Sequence, residues 1–469
     1  TSSSAKKLFI PGSPACTYCN LCKPMSAELK WRLTTISSSP MIPDSTFLIP
    51  KLSRGFEAFI TLPGSKSIAL RQLAISALVD GTSHISGIPK CDDTDAMIDC
   101  LRALGVAIDA GPAITSVTGP MNFGSADVEL NARMSGASTR LLIALAALRS
   151  GSTRIDGHES LRVRTNAPLF TVLRDNGCDV LSDAGTLPAT IKGGLKAASA
   201  LHIDGSLSSQ YITALTVIAP VLAHRRGEAR QLIKIHGDLV SRPYIDITLN
   251  EMAKRSVIGE WVEPTVLSLP AAHYQSGKFV VEGDASAASY FSALATLHGG
   301  TVTLTNLDAT TVQGDYAFCD VMECLGSSVE RRGLTRITGP GQLSPLPQID
   351  MQDMPDVALT LIAMSPALAA PIEISGLQSL HHKECDRLEC PATEMSAMGI
   401  DLSTDHSSIA VKPLADQAPK AHTLTTYHDH RMAMAFATLG SAYGNLTVDD
   451  KAVVNKTYPD FWHDYARLV

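Results

Sequence analysis

The chain has 469 residues, 45% of them hydrophobic and 18% charged, which is enough apolar material for two or three globular domains. Its formal charge of −7 argues against nucleic acid as a partner, so any site for an anion must be built locally. No apolar run approaches the length of a membrane span.

Residues 1–45 are rich in Ser, Pro and Thr and lack the apolar core of a signal peptide. They read as a disordered N-terminal extension or as the remnant of an organellar transit peptide. Within them Cys16, Cys19 and Cys22 form C-x-x-C-x-x-C, but no fourth ligand is near and no metal site is expected. The other seven cysteines show no framework spacing and are read as reduced thiols.

The first patterned unit starts near Thr46. Pro63-Gly64 is a turn signal, and Ser65 or Ser67 can cap the apolar helix that follows and stops at Gly81. All the polarity of that helix sits at its N-terminus, where free N–H groups favour an anion and Lys66 and Arg71 add positive charge. The device recurs. From Ser65 the anchors step to Ser135, Ser206, Asp284, Asp356 and Asp429, at intervals of 70, 71, 78, 72 and 73 residues. A fixed period means copies of one structural unit, and this one is long enough for a βαβ-like fold. Each unit predicts a second helix as well. Four of these end in a glycine followed by a strand, at Gly105, Gly177, Gly326 and Gly399. Six units of two helices and several strands make an α+β chain. Six polar helix N-termini facing one space would form a funnel for a multiply anionic ligand.

Charged clusters interrupt the apolar pattern at Arg162-Val163-Arg164, Asp356, Lys383-Glu384-Cys385-Asp386-Arg387, His430-Arg431 and Lys456. Any one of them alone suits a solvated face or a helix cap. Together with their flanks they carry a resemblance. The stretches PGSKSIALR (63–71), GSLSSQYITAL (205–215), SRPYIDITL (241–249), VEGDASAASYF (281–291), DMPDVALTL (353–361), HKECDRL (382–388), YHDHRMAMAFA (427–437) and KTYPDF (456–461) are similar to those of the 3-phosphoshikimate 1-carboxyvinyltransferases (EPSP synthases), in the enolpyruvyl transferase family. The resemblance runs from about residue 46 to the end.

It implies a two-domain inverse α/β barrel in which each domain holds three βαβαββ units. One domain would be 65–282. The other would join 46–64 to 283–469. The implied reaction moves the enolpyruvyl group of phosphoenolpyruvate to the 5-hydroxyl of shikimate 3-phosphate, by addition and elimination, with no metal and no organic cofactor. By motif, shikimate 3-phosphate would meet Lys66, Ser67, Arg71, Ser208, Ser209, Gln210, Ser241, Asp356 and Lys383. Phosphoenolpyruvate would meet Lys66, Gly136, Arg164, Gln210, Arg387, His430, Arg431 and Lys456. Asp356 resembles the base for the 5-hydroxyl, and Glu384 resembles the group that exchanges a proton at the methylene carbon, with Lys66 beside it.

The chain departs from the family's pattern at Met134 and Ala137, where Asn and Thr are usual, at Ser160 and Val163 flanking Arg164, and at Ser379-Leu380-His381. These departures motivate an alternative, a diverged transferase with another cyclic acceptor; a catalytically dead binding protein on the same scaffold is a second. The related UDP-N-acetylglucosamine enolpyruvyl transferases fit less well, because the Ser208-Ser209-Gln210 stretch and the Lys383–Arg387 cluster favour the shikimate side. The expected partners are small molecules only, with neither nucleic acid nor membrane. The expected state is a cytoplasmic monomer, or a plastid-stroma enzyme if residues 1–45 are a transit-peptide remnant.

Overall fold

The computed structural model describes residues 45–196, 198–414 and 421–469. Cys16, Cys19 and Cys22 lie outside the described residues.

The period seen in the sequence is a period of sheets. In one unit, strand Val128–Asn131 runs parallel to Ser152–Asp156, which is antiparallel to Ala189–Lys192, itself antiparallel to Asp179–Ser182. Helix Gly136–Ala147 joins the first two strands and helix Ala167–Asp175 precedes the hairpin, so the order is βαβαββ. Among the described residues, five sheets have four strands in this arrangement, and a sixth has three. The sixth is closed by Phe47–Leu48, which pairs antiparallel with Leu446–Val448 from the far end of the chain.

Two units borrow their first strand. Glu57–Ile60 leads in sequence to helix Lys66–Ser76 but pairs in parallel with Thr301–Leu304. Lys278–Val280 leads to helix Ala285–His298 but pairs in parallel with Gly81–Ser86. The chain thus passes twice between two apolar cores. Residues 68–281 supply the first core, and residues 49–62 and 285–468 supply the second. The two passages pair with each other at a bridge between Gly64 and Gly283: Ser65 N–H donates to the Glu282 carbonyl at 2.7 Å, and Asp284 N–H to that of Pro63 at 2.9 Å.

The six anchored helices form the centre of each core. Helices Lys66–Ser76, Gly136–Ala147 and Ser209–Arg226 pack on one another in the first. Helices Ala285–His298, Pro355–Met364 and His430–Tyr443 do so in the second. Their burial follows from composition: in Pro355–Met364 every residue except Asp356 is buried. A helix apolar on all sides is stable only when surrounded. Two anchors differ from the sequence reading. The third N-cap is Ser208 rather than Ser206, and its hydroxyl accepts from Gln210 N–H at 3.3 Å. The fifth is Met354, because Pro355 takes the first helical position and puts Asp356 in the first turn. At Ser65 the hydroxyl makes no cap; the Asp284 carboxylate of the next passage accepts from Lys66 N–H at 3.1 Å instead.

The four glycine stops hold. Gly105, Gly177, Gly326 and Gly399 have φ of 87°, 89°, 102° and 86°, a region in which glycine carries no Cβ penalty. No helix among the described residues is long and apolar enough to cross a membrane.

Candidate active site

A cavity of about 520 Å³ opens between residues of the two cores. Four of the six anchored helix starts line it, through Lys66 and Ser67, Ala137 and Arg140, Ser209 and Gln210, and Asp356. The other two border a narrower cleft beside it, at Asp284 and Arg431. The funnel expected from six N-termini is therefore four in the main cavity and two alongside. The clefts are joined electrically, since Arg431 Nη2 lies 3.1 Å from Asp356 Oδ2.

On the first-core side the cations are held by neutral groups. Arg71 is 5% exposed; its Nε donates to Thr248 Oγ1 at 2.8 Å, Nη1 to the Ser67 carbonyl at 2.7 Å and Nη2 to the Tyr244 carbonyl at 2.8 Å. Arg140 donates to the carbonyls of Gly136 and Thr165, each at 3.0 Å. Burial without a close counter-charge pulls both guanidinium pKa values down to about 10. The Nε atoms of Arg140 and Arg164 are buried with no hydrogen-bond partner, a state that costs free energy until an acceptor arrives. Gly136 makes room for this pair. A Cβ there would meet Arg164 Nη1 at 2.6 Å and Arg140 Nη1 at 2.8 Å. Ser241, also on the wall, holds a φ of 55°, which is uncommon outside glycine and costs local strain. Lys66 is the exception on this side, with a carboxylate of its own: its Nζ lies 3.2 Å from Asp93 Oδ2. Burial opposes the Lys66 charge, but Asp93, Glu384 and Asp356 together outweigh it and the amine stays protonated, its pKa above the usual lysine value.

On the second-core side every cation meets a carboxylate. Asp356 takes Lys383 Nζ at 2.9 Å, Arg387 Nη1 at 3.3 Å and Arg431 Nη2 at 3.1 Å. Glu384 takes Arg387 Nη2 at 2.7 Å and Lys456 Nζ at 3.0 Å, with Arg164 Nη1 of the first core 3.8 Å away. Asp429 is fully buried and accepts from Arg387 Nε at 2.7 Å and from Arg431 N–H at 2.9 Å. Burial alone would protonate Asp356 and Glu384. Lys383, Arg431 and Arg387 around the first, and Lys456, Arg387 and Arg164 around the second, hold both carboxyls well below the usual range. His430 is fully buried; its Nδ1 is 3.2 Å from Asp429 Oδ1 but is not aligned for a hydrogen bond. Burial keeps it neutral, with a pKa of about 4.

The expected substrate and acid–base residues are brought to this one place, His430 beside Asp429, while Arg162 pairs with Asp156 outside the cavity. Lys66, Ser67, Arg71, Arg164, Ser208, Ser209, Gln210, Ser241, Asp356, Lys383 and Glu384 line the cavity. Arg387, Arg431 and Lys456 stand behind Asp356 and Glu384 as their counter-ions, and Gly136 lies under Arg164. The sequence patterns give no site role to Arg140, Asp429, Tyr244 or Asp315. Asp429 and Tyr244 lie inside recognised stretches and Arg140 follows the Ser135 anchor, where a role could have been sought. Asp315 had no such signal; it sits on a short 3₁₀ turn, Gly314–Ala317. It ties the two cores together, accepting from Tyr244 O–H at 2.8 Å and from Ser286 Oγ. Burial, with Asp356 nearby, raises its pKa to about 6.

A cavity walled by unneutralised arginines on one side and ionised, cation-wired carboxylates on the other suits acid–base work on a polyanionic substrate. Known proteins agree with that chemistry. The chain is 34% identical over 432 residues to the 3-phosphoshikimate 1-carboxyvinyltransferase of Bordetella bronchiseptica, covering 89% of this chain and 96% of that protein. It is 31% identical over 431 residues to the protein of the same name from Nostoc, covering 90% and 99%. Its fold matches a solved EPSP synthase from Acinetobacter baumannii with a TM-score of 0.72, over 90% of this chain and 98% of that one, at 22% identity. A family model for EPSP synthase (3-phosphoshikimate 1-carboxyvinyltransferase) matches residues 52–465, and the chain belongs to that family.

Proposed function

We propose that the chain transfers the enolpyruvyl group of phosphoenolpyruvate to the 5-hydroxyl of shikimate 3-phosphate and releases phosphate. The observation that carries the reading is the pair Asp356 and Glu384, two ionised carboxylates at the wall of one cavity, each wired to at least two cations. In the addition step Asp356 takes the hydroxyl proton as the oxygen bonds to the central carbon of phosphoenolpyruvate. Glu384, which takes up a proton as bound anions draw Lys456, Arg387 and Arg164 from it, delivers that proton to the methylene carbon with the help of Lys66, giving a tetrahedral intermediate. In the elimination step a methyl proton returns to Glu384, the carbon–oxygen bond to phosphate breaks, and the proton held by Asp356 leaves with the phosphate.

A base as acidic as Asp356 is here would be a weak one at neutral pH. Substrate corrects this. Bound phosphates and carboxylates compete for Lys383, Arg387 and Arg431, and each anion near Asp356 raises its proton affinity. Ser67, Arg71, Ser208, Ser209, Gln210, Ser241 and Lys383 take the shikimate 3-phosphate side, and Gly136, Arg164, Gln210, Arg387, His430, Arg431 and Lys456 the phosphoenolpyruvate side. Lys66 serves both. Arginine suits these anions through bidentate pairing.

The domains on this reading are 65–282, and 46–64 joined to 283–469. Two separate apolar cores and the crossing at Gly64 and Gly283 support the division. The site is complete within one chain, which suits a monomer. The seven free cysteines among the described residues suit a reducing compartment such as the cytoplasm or a plastid stroma. A steady-state assay of phosphate release tests the function: release should need both substrates, and its absence with both at saturation overturns the reading.

A further inference from the structure

The mechanism leaves two thiols beside its acid–base group unused. Cys385 follows Glu384 directly and lines the cavity. Cys390 sits in the first turn of helix Glu389–Ala397, its N–H bonded to the Asp386 carbonyl at 2.9 Å, so the chain folds back and brings the two side chains into contact. Both are only half-buried. The other described cysteines differ. Cys91, Cys100, Cys178 and Cys319 are buried, which pushes their thiols up to about 11, 12, 12 and 12, and Cys324 is exposed away from this site. Among the described residues, two accessible sulfurs meet only at 385 and 390.

We propose that Cys385 and Cys390 are a redox modification site that takes a small-molecule disulfide and, once oxidised, shuts down the adjoining site; the second clause rests on the function proposed above. The two sulfurs have unequal roles. The Cys385 thiol donates to Asp429 Oδ2 at 3.6 Å, which keeps it protonated. Cys390 lies at a helix start beside the Cys385 thiol, and its pKa is lowered, so it supplies the thiolate. That thiolate attacks one sulfur of the small disulfide and expels one thiolate. The Cys385 thiol then gives its proton to solvent and attacks the Cys390 sulfur of the mixed disulfide, expelling the second. Two protein thiols and one small disulfide become one protein disulfide and two small thiols.

The link to turnover is a short chain of contacts. Closing the disulfide takes the Cys385 sulfur away from Asp429. Asp429 holds Arg387 at 2.7 Å, and Arg387 holds Glu384 at 2.7 Å and Asp356 at 3.3 Å. Glu384 itself is one peptide bond from the new crosslink.

The experiment incubates the full chain with oxidised glutathione, maps its peptides without reduction, and measures phosphate release from shikimate 3-phosphate and phosphoenolpyruvate before and after dithiothreitol. The expected result is a peptide pair joined through Cys385 and Cys390, two mass units lighter than the two thiols. Turnover should fall at least tenfold with it and return on reduction. Cys390→Ser, which does not line the cavity, should keep its reduced activity and lose the response. Free thiols at both positions, or a disulfide that leaves turnover unchanged, overturns the proposal. The mapping is independent of activity. A reduced protein that releases no phosphate speaks against the function, while the crosslink still decides the thiol pair.

Discussion

The two walls of the cavity hold their charges in opposite ways. On the first-core wall, Arg71 and Arg140 are buried against carbonyls and hydroxyls, and burial lowers their pKa. On the second-core wall, Arg387 and Arg431 are buried against carboxylates, and those carboxylates outweigh burial and raise their pKa. The first wall is short of negative charge until a ligand brings it. The second is balanced before any ligand arrives. On the reading proposed above, the wall that lacks anions serves binding and the one whose acids are already ionised serves proton transfer.

The two walls should differ most in what their residues contribute to stability. Removing one partner of a buried pair leaves an uncompensated charge and costs about 3–5 kcal/mol. Asp429→Ala strips Arg387 of one of its two 2.7 Å carboxylate contacts and the His430–Tyr443 helix of its cap, so unfolding by denaturant should show a loss of that size. Arg71→Met removes a buried cation that had no close counter-ion. Apo stability should change by less than about 1 kcal/mol, while shikimate 3-phosphate binding, followed by calorimetry, weakens about 10–100-fold. Equal stability losses in the two variants would erase the distinction between the walls.

Acid should expose the same asymmetry. His298 lies in the second core, 2.9 Å from Ser441 Oγ, and burial holds its pKa at about 4. In the unfolded chain its pKa is about 6.5, so the unfolded state binds more protons between those values. Stability from this group is therefore complete above about pH 6.5 and is lost as pH falls toward 4. About 2 kcal/mol should go between pH 7.5 and 5. Comparing denaturant midpoints for the wild type and His298→Gln at both pH values checks the amount, because the variant should lose that much less. A smaller effect sharpens the first wall. In Gly136→Ala the new methyl pushes on the tips of Arg164 and Arg140, flexible ends that can move. Stability should hold, and the apparent affinity for phosphoenolpyruvate should fall about tenfold, or about 1.4 kcal/mol.

The repeats were legible because each begins with a helix apolar on every face, and only a core can hold such a helix. The exact caps were not, because Gly205-Ser206-Leu207-Ser208-Ser209 offers several serines and Pro355 shifts the start by one turn position. The exchange of first strands between cores was hidden. Glu57–Ile60 and Thr301–Leu304 are far apart in sequence, and nothing local in either names its partner. The site residues in recognised stretches were legible by type. What sequence could not show is how each is held. The neutral cradle of Arg71 comes from Thr248 and Tyr244, and the tie between cores needs Tyr244 and Asp315 to meet across 71 positions.

On the proposed function, the carboxylates of the second wall do the chemistry and the first wall does the binding. Asp356→Asn tests it most directly, with kcat from phosphate release and the shikimate 3-phosphate dissociation constant from calorimetry on the same preparation. With that division of roles, kcat falls about 10²–10⁴-fold while the dissociation constant changes by no more than about threefold. Near-normal turnover in a folded Asp356→Asn protein would contradict it.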